Sequence, residues 1–156
     1  MKLKIIAVGK RMPDWVDAAV ADFCRRFSKG LNLQVQEVAT ASRSRSDDAS
    51  VYATVEGRAI LSRIRDPDWV VALEIGGTAM STRQLARWLD KRISAARNVV
   101  FVIGGPDGLS GEVLQRADEQ WSLSTLTLPH GLARVVVAEA LYRANSLRLG
   151  HPYHRA

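Results

Sequence analysis

Two short runs constrain this chain more than any other feature. Residues 69–75 (WVVALEI) are apolar apart from Glu74, and residues 98–103 (NVVFVI) are apolar after Asn98. A strand that is hydrophobic on both sides is covered on both sides, which is the environment of a parallel sheet sandwiched by helices. Both runs meet glycines, Gly76–Gly77 and Gly104–Gly105, and these are expected to end the strands. Residues 2–8 form another expected strand, closed by Gly9–Lys10. Pro13–Asp14 opens a helix whose Val16, Val20, Phe23 and Phe27 share one narrow face. Residues 31–38 alternate as a further strand. Residues 40–50 are polar, with Arg43 and Arg45 among serines and two aspartates; they read as a connector or a substrate clamp. Val51, Val55 and Ala59 with Ile64 mark a second helix, stopped by Asp66–Pro67. Ser81 or Thr82 caps a helix carrying Leu85, Trp88, Leu89 and Ile93, and Ser110 caps a short one. This alternation predicts a single α/β domain over residues 1–156, with a mostly parallel sheet of about five strands and helices on both faces.

The C-terminal part changes period once. Residues 121–128 alternate large apolar side chains with Ser and Thr, as a strand does. Pro129 ends that strand and pre-sets a helix from His130 to about Leu147. At 100° per residue Leu132 and Val136 fall on one side of this helix, with Val137 and Leu141 nearly opposite. A helix apolar on both sides is buried on both sides. One side covers the sheet, so the other is expected to meet a second copy of the chain. Glu139 and Arg143 lie on the Leu132 side, either as an i, i+4 ion pair or as a polar spot held for a site.

The formal net charge is +6, with basic groups at Lys10–Arg11, Arg25–Arg26 with Lys29, Arg43 and Arg45, then Arg143, Arg148 and Arg155. Such a balance points to a polyanionic partner. The single cysteine, Cys24, makes no internal disulfide. With no run long enough for a signal peptide or a membrane span, a cytoplasmic protein is expected.

In parallel sheets ligands bind beyond the C-terminal strand ends. Three segments share that address: Gly76–Gly77, the loop 104–108 (GGPDG) and the corner at residues 126–129. Neither a phosphate-binding G-x-x-x-x-G-K-[ST] nor a dinucleotide G-x-G-x-x-G is present. No G-x-S-x-G elbow supports a serine hydrolase. His151 and His154 lack the companions of a metal site. The tail 150–155 (GHPYHR) combines stacking, proton-transfer and phosphate-pairing groups. These features leave three classes open: a nucleoside-cofactor enzyme acting on RNA, a non-catalytic RNA-binding assembly factor, and a flavodoxin-like mononucleotide binder.

KLKIIAVGK at the start, ALEIGG, FVIGGPDGL, LSTLTLPHGLARVVVAEALYRA and the terminal HPYHR together resemble the RlmH family, the bacterial large-subunit ribosomal RNA pseudouridine N3-methyltransferases of the SPOUT class. The resemblance spans essentially the whole chain. It implies a C-terminal trefoil knot within about residues 70–148, a substrate tail at 149–156, and S-adenosylmethionine as methyl donor without a metal. It further implies a homodimer whose site is completed by the partner's tail, acting on large-subunit rRNA in the assembled ribosome. Carried over by position, Leu73, Gly104, Gly105, Leu123, Ser124, Thr125, Leu126, Thr127 and Leu128 would surround the cofactor. His130, Arg134, Tyr153, His154 and Arg155 would face the substrate, His154 moving the proton. Glu74 stands where the family has Asp, Thr78 where Lys or Arg is usual, and Ala140 where Gln is common; the missing cation at 78 implies a weaker phosphate contact.

Overall fold

The computed structural model describes residues 1–27 and 30–155, without the side chain of His154. Among them, five strands form one sheet: β1 (Lys2–Val8), β2 (Asn32–Val38), β3 (Trp69–Ala79), β4 (Val99–Ile103) and β5 (Glu119–Ser122). Their order is β2-β1-β4-β3-β5 and every neighbouring pair is parallel. The helices are α1 (Asp14–Arg26), α2 (Ala49–Leu61), α3 (Thr82–Ser94), α4 (Gly111–Arg116) and α5 (His130–Arg148), followed by a 3-10 turn over Pro152–Arg155. The α/β architecture expected from the alternation is therefore present.

The two apolar runs are the central strands, and every residue of β4 is buried. Side chains alternate between two cores. Leu3, Ile5 and Phe101 pack under α1, α3 and α5 with Leu89, Val137 and Leu141, whereas Ile6, Val100 and Val102 pack with Ile60 of α2 and Val113 of α4. Each fully buried side chain of this size contributes about 1.5–3 kcal/mol. Ser81 begins α3 in a reciprocal cap, accepting from the Gln84 amide while the Gln84 side chain accepts from the Ser81 amide. The edge strand β5 is pinned by Glu119, which accepts indole N–H bonds from Trp69, Trp88 and Trp121 at 2.9, 2.9 and 2.8 Å. Burial raises the pKa of the Cys24 thiol, which keeps it protonated and unreactive at neutral pH.

Four details differ from the sequence expectation. The strand expected at residues 121–128 stops at Ser122, because serine side chains take over the backbone bonding. Ser122 Oγ donates to the Ser124 carbonyl at 2.9 Å, and the Leu126 amide donates to Ser124 Oγ at 3.0 Å. Helix α2 is rotated from the expected face: Val51 and Val55 are exposed, and Tyr52, Ala53, Glu56, Gly57 and Ile60 turn inward. Gly57 sets this rotation, since a Cβ there would fall 2.2 Å from Ser110 Oγ. The helix also ends at Leu61, before Asp66–Pro67, where Ser62 Oγ and Arg63 Nη1 both donate to the Ala59 carbonyl.

The fourth difference is that β3 continues through Gly76–Gly77 to Ala79. Its pairing with β5 shifts register between Leu73 and Thr78, both opposite Trp121. At Gly77 the two backbones touch, and a Cβ would lie 2.6 Å from the Trp121 carbonyl carbon. Gly77→Ala is accordingly expected to lower the unfolding free energy by about 2–3 kcal/mol. The urea midpoint reads this directly, and an unchanged midpoint would show that the crossing relaxes freely.

Candidate active site at the C-terminal end of the sheet

Because the strands are parallel, the loops after all five emerge at one end of the sheet. A cleft of about 90 Å³ opens there between β3, the loop after β5 and the start of α5. Leu73, Leu123, Ser124, Leu126 and Leu128 of the expected cofactor set line it, together with Glu74, Ile75, Trp121, Ser122 and Ala133. Those five were missed; only Glu74, as the one charge in an apolar run, carried a sequence signal. Thr125 and Thr127 are exposed on the same loop. Gly104 and Gly105 belong to the neighbouring loop after β4, outside the cleft wall. A Cβ on Gly104 would lie 2.8 Å from the Gly108 carbonyl carbon, and one on Gly105 would lie 2.8 Å from Glu56 Oε2.

The wall has the chemistry of a neutral heterocycle's site: aliphatic surfaces, one carboxylate, and unused backbone donors. Since residues 124–128 lie beyond the sheet ladder and before α5, the amides of Ser124, Thr125, Thr127 and Leu128 make no hydrogen bond to the described residues. Such orphan donors satisfy a purine edge without a charged side chain. The volume is small, because sites that enclose a small molecule run to roughly 300–1,000 Å³. Two flanking side chains, Ile75 at 60% and Leu126 at 72% exposure, stand in solvent with nothing over them.

Of the expected substrate-facing residues, His130 begins α5 and is half-buried. A Cβ on Gly9, which has φ +108°, would lie 3.5 Å from both His130 Nε2 and Arg134 Nη2, so both side chains close on the turn after β1. Arg134 lies behind the site and does not open onto it. It is 2% exposed, donates to the Val8 and Gly9 carbonyls at 3.2 and 2.7 Å, and pairs with Glu37 at 3.1 Å.

The tail is docked on its own helix. Tyr153 Oη donates to Glu139 Oε1 at 3.2 Å, its ring meets Tyr142 edge-on at 4.8 Å, and Arg143 lies 5.0 Å from the ring centre. Burial raises the pKa of the Tyr153 phenol and Glu139 raises it further, with Arg143 and Arg26 opposing. The hydroxyl therefore stays protonated and keeps its donor role. Glu139 and Arg143 form the i, i+4 pair at 2.7 Å. Arg155 is exposed, and the His154 side chain is outside the described residues. Glu139 lies about 9 Å along the helix from the cleft residue Ala133, at roughly 1.5 Å per residue. Within one chain the contacts of Tyr153 are with Glu139, Tyr142 and Arg143, none of which lines the cleft.

Against known proteins, the family model described as "Predicted SPOUT methyltransferase" matches residues 1–154. The chain belongs to the SPOUT methyltransferase family. It is 45% identical over 156 residues to a protein of Dichelobacter nodosus, covering all of both chains. It is 43% identical over 155 residues to proteins of Chromohalobacter salexigens and Pseudomonas aeruginosa, covering 99% of this chain and 100% of each of those. All three relatives are named "Ribosomal RNA large subunit methyltransferase H". As a SPOUT methyltransferase this protein is an enzyme that needs a methyl donor. No helix among the described residues is long and apolar enough to cross a membrane.

Proposed function

We propose that this protein transfers a methyl group from S-adenosylmethionine to N3 of a pseudouridine in large-subunit rRNA, acting on assembled ribosomes in the cytoplasm. The observation that carries the reading is the apolar cleft with orphan amides, found in a chain that matches relatives named for rRNA methylation over its whole length. The donor supplies a methyl group on a sulfonium, electrophilic enough to need no metal. The chain then has three tasks. Leu73 and residues 123–128 hold the adenosyl group, with Gly104 and Gly105 shaping the adjoining loop. His130, Tyr153, His154 and Arg155 orient the base and its phosphate, with His154 taking the N3 proton as the N–C bond forms and the S–C bond breaks. Arg134 acts one step back, fixing the turn that His130 touches.

We also infer a homodimer through the outer side of α5. Leu132 and Val136 belong to neither core and stay half-exposed. Ile75 and Leu126 are open beside a cleft too shallow to enclose a nucleoside. A second copy covers both and brings its tail to a cleft that is not lined by the tail of its own chain. In this reading the trefoil knot lies within about residues 70–148 of one domain, and residues 149–156 are the substrate tail.

The test is methyl transfer from labelled S-adenosylmethionine to ribosomes and separated subunits from a strain lacking this protein, followed by mass mapping. Incorporation at a single pseudouridine of the large-subunit rRNA is expected. No incorporation into any of them, with donor binding intact, would overturn the substrate assignment.

A further inference from the structure

The site leaves four cations at the same sheet end unused. Lys10 and Arg11 follow β1, Arg43 and Arg45 follow β2, and all four residues are exposed. Their loops leave the sheet side by side, because the Gly9 amide donates to the Val38 carbonyl at 2.7 Å. Gly9 is also the turn on which His130 closes, so this basic edge adjoins a residue assigned to the substrate. Arg11 holds φ +59°, a conformation unfavourable for a residue with a side chain.

The loop after β2 is fastened at three points. The Ala41 amide donates to Glu56 Oε1 at 3.0 Å, the Ser44 amide donates to Tyr52 Oη at 2.8 Å, and Arg43 pairs with Asp107 of the Gly104–Gly108 loop while lying 4.7 Å over the Tyr52 ring. Glu56 and Tyr52 are themselves 1% and 5% exposed, so the anchors are rigid. Arg43 uses only Nη2 on Asp107, and its side chain is 42% exposed against 16% for Asp107. A guanidinium has five donors, so the remaining N–H groups are available to a second anion. Asp47 and Asp48 close the loop at the start of α2, where the helix dipole accommodates them.

We propose that these two loops form a phosphate rim, on which RNA leaving the cleft runs over the ends of β4, β1 and β2, with Arg43 bridging Asp107 and a phosphodiester. The proposal rests on the RNA substrate assigned above. Neighbouring strand ends stand about 4.8 Å apart, so Lys10 and Arg11 after β1 and Arg43 and Arg45 after β2 make one basic edge, which begins at the Gly9 turn beside His130 and is separated from the cofactor cleft at β3 by the end of β4. A basic edge leading away from a substrate-facing residue follows a nucleic-acid backbone.

The experiment measures co-sedimentation of the full chain with ribosomes from a strain lacking this protein, across a salt series and without cofactor. Calorimetric S-adenosylmethionine binding is measured in parallel. Replacing Lys10, Arg11, Arg43 and Arg45 together by Ala is expected to weaken ribosome binding on the order of 10–100-fold and to reduce the salt slope by about 3. Cofactor binding stays unchanged. Asp107→Asn separates the rim from a mere latch. It frees Arg43 and tightens ribosome binding a few-fold, whereas a latch would loosen the glycine loop, weaken cofactor binding and leave the ribosome affinity alone. If the fourfold variant fails to fold, the single Arg45→Glu carries the test, with an expected slope change of about 1. An unchanged salt slope in these variants overturns the rim. Ribosome binding without methyl transfer by the wild-type chain would instead overturn the reaction proposed above, so the two failures are distinct.

Discussion

Removing residues 153–156 lowers methyl transfer to ribosomes on the order of 10³-fold and leaves S-adenosylmethionine binding within about twofold. The tail is anchored by its own contacts: Tyr153 is held by Glu139 through its hydroxyl, by Tyr142 at 4.8 Å and by Arg143 at 5.0 Å. Those contacts fix where the 3-10 turn over Pro152–Arg155 presents its side chains. None of them involves the cleft wall of the same chain, so the deletion removes the substrate groups that the partner's tail brings and leaves the donor's own wall, Leu73 and residues 123–128, intact. Tyr153→Phe is the informative companion: it keeps the ring packing and loses the bond to Glu139, and an intermediate loss of rate is expected. Transfer assayed under saturating donor, with donor affinity measured by calorimetry, separates the outcomes. Full activity after the deletion would remove the tail from the substrate site.

The fold was legible wherever burial dictated composition. The runs at 69–75 and 98–103 are apolar at their centres because Val70–Ala72 of β3 and all of β4 are covered on both faces, whereas Ile75 at the end of the first run stands exposed. The face of α2 was not, because its inward side carries Glu56 and Gly57 while Val51 and Val55 stand in solvent. Periodicity assigns valine inward and glutamate outward, and the buried Glu56 is tied to the Ala41 amide, fifteen residues away. The end of β5 was hidden for another reason. Alternating Leu with Ser or Thr looks like a strand, but Ser122 and Ser124 capture the backbone groups a ladder needs.

The site was less legible than the fold. Spacing alone pointed to glycine loops at strand ends, and the cofactor set came from the family resemblance. The three indoles converging on Glu119 join residues up to 50 apart, which no local pattern registers. Arg134 illustrates the same limit. An arginine four residues into a helix of a basic chain is expected at the surface; here it is 2% exposed because the end of β1 offers it two carbonyls and Glu37 of β2 a carboxylate.

Arg134→Ala is therefore expected to act first on stability, lowering the unfolding free energy by about 2–4 kcal/mol. Three acceptors lose their donor together: the Val8 and Gly9 carbonyls and Glu37 Oε2. Glu37 is 36% exposed and recovers water, so the larger part of the cost comes from the two carbonyls and the space left by the stem. Arg134→Lys retains the charge but cannot fork between Glu37 and the strand end, and an intermediate loss is expected. Activity then falls in the folded fraction as well, because the Gly9 turn is no longer fixed against His130. Urea unfolding followed by transfer assays at matched folded concentration distinguishes the two effects. A variant with wild-type stability and no activity would put the guanidinium on the substrate, whereas loss of stability with proportionate loss of activity identifies Arg134 as the clamp between α5 and the ends of β1 and β2.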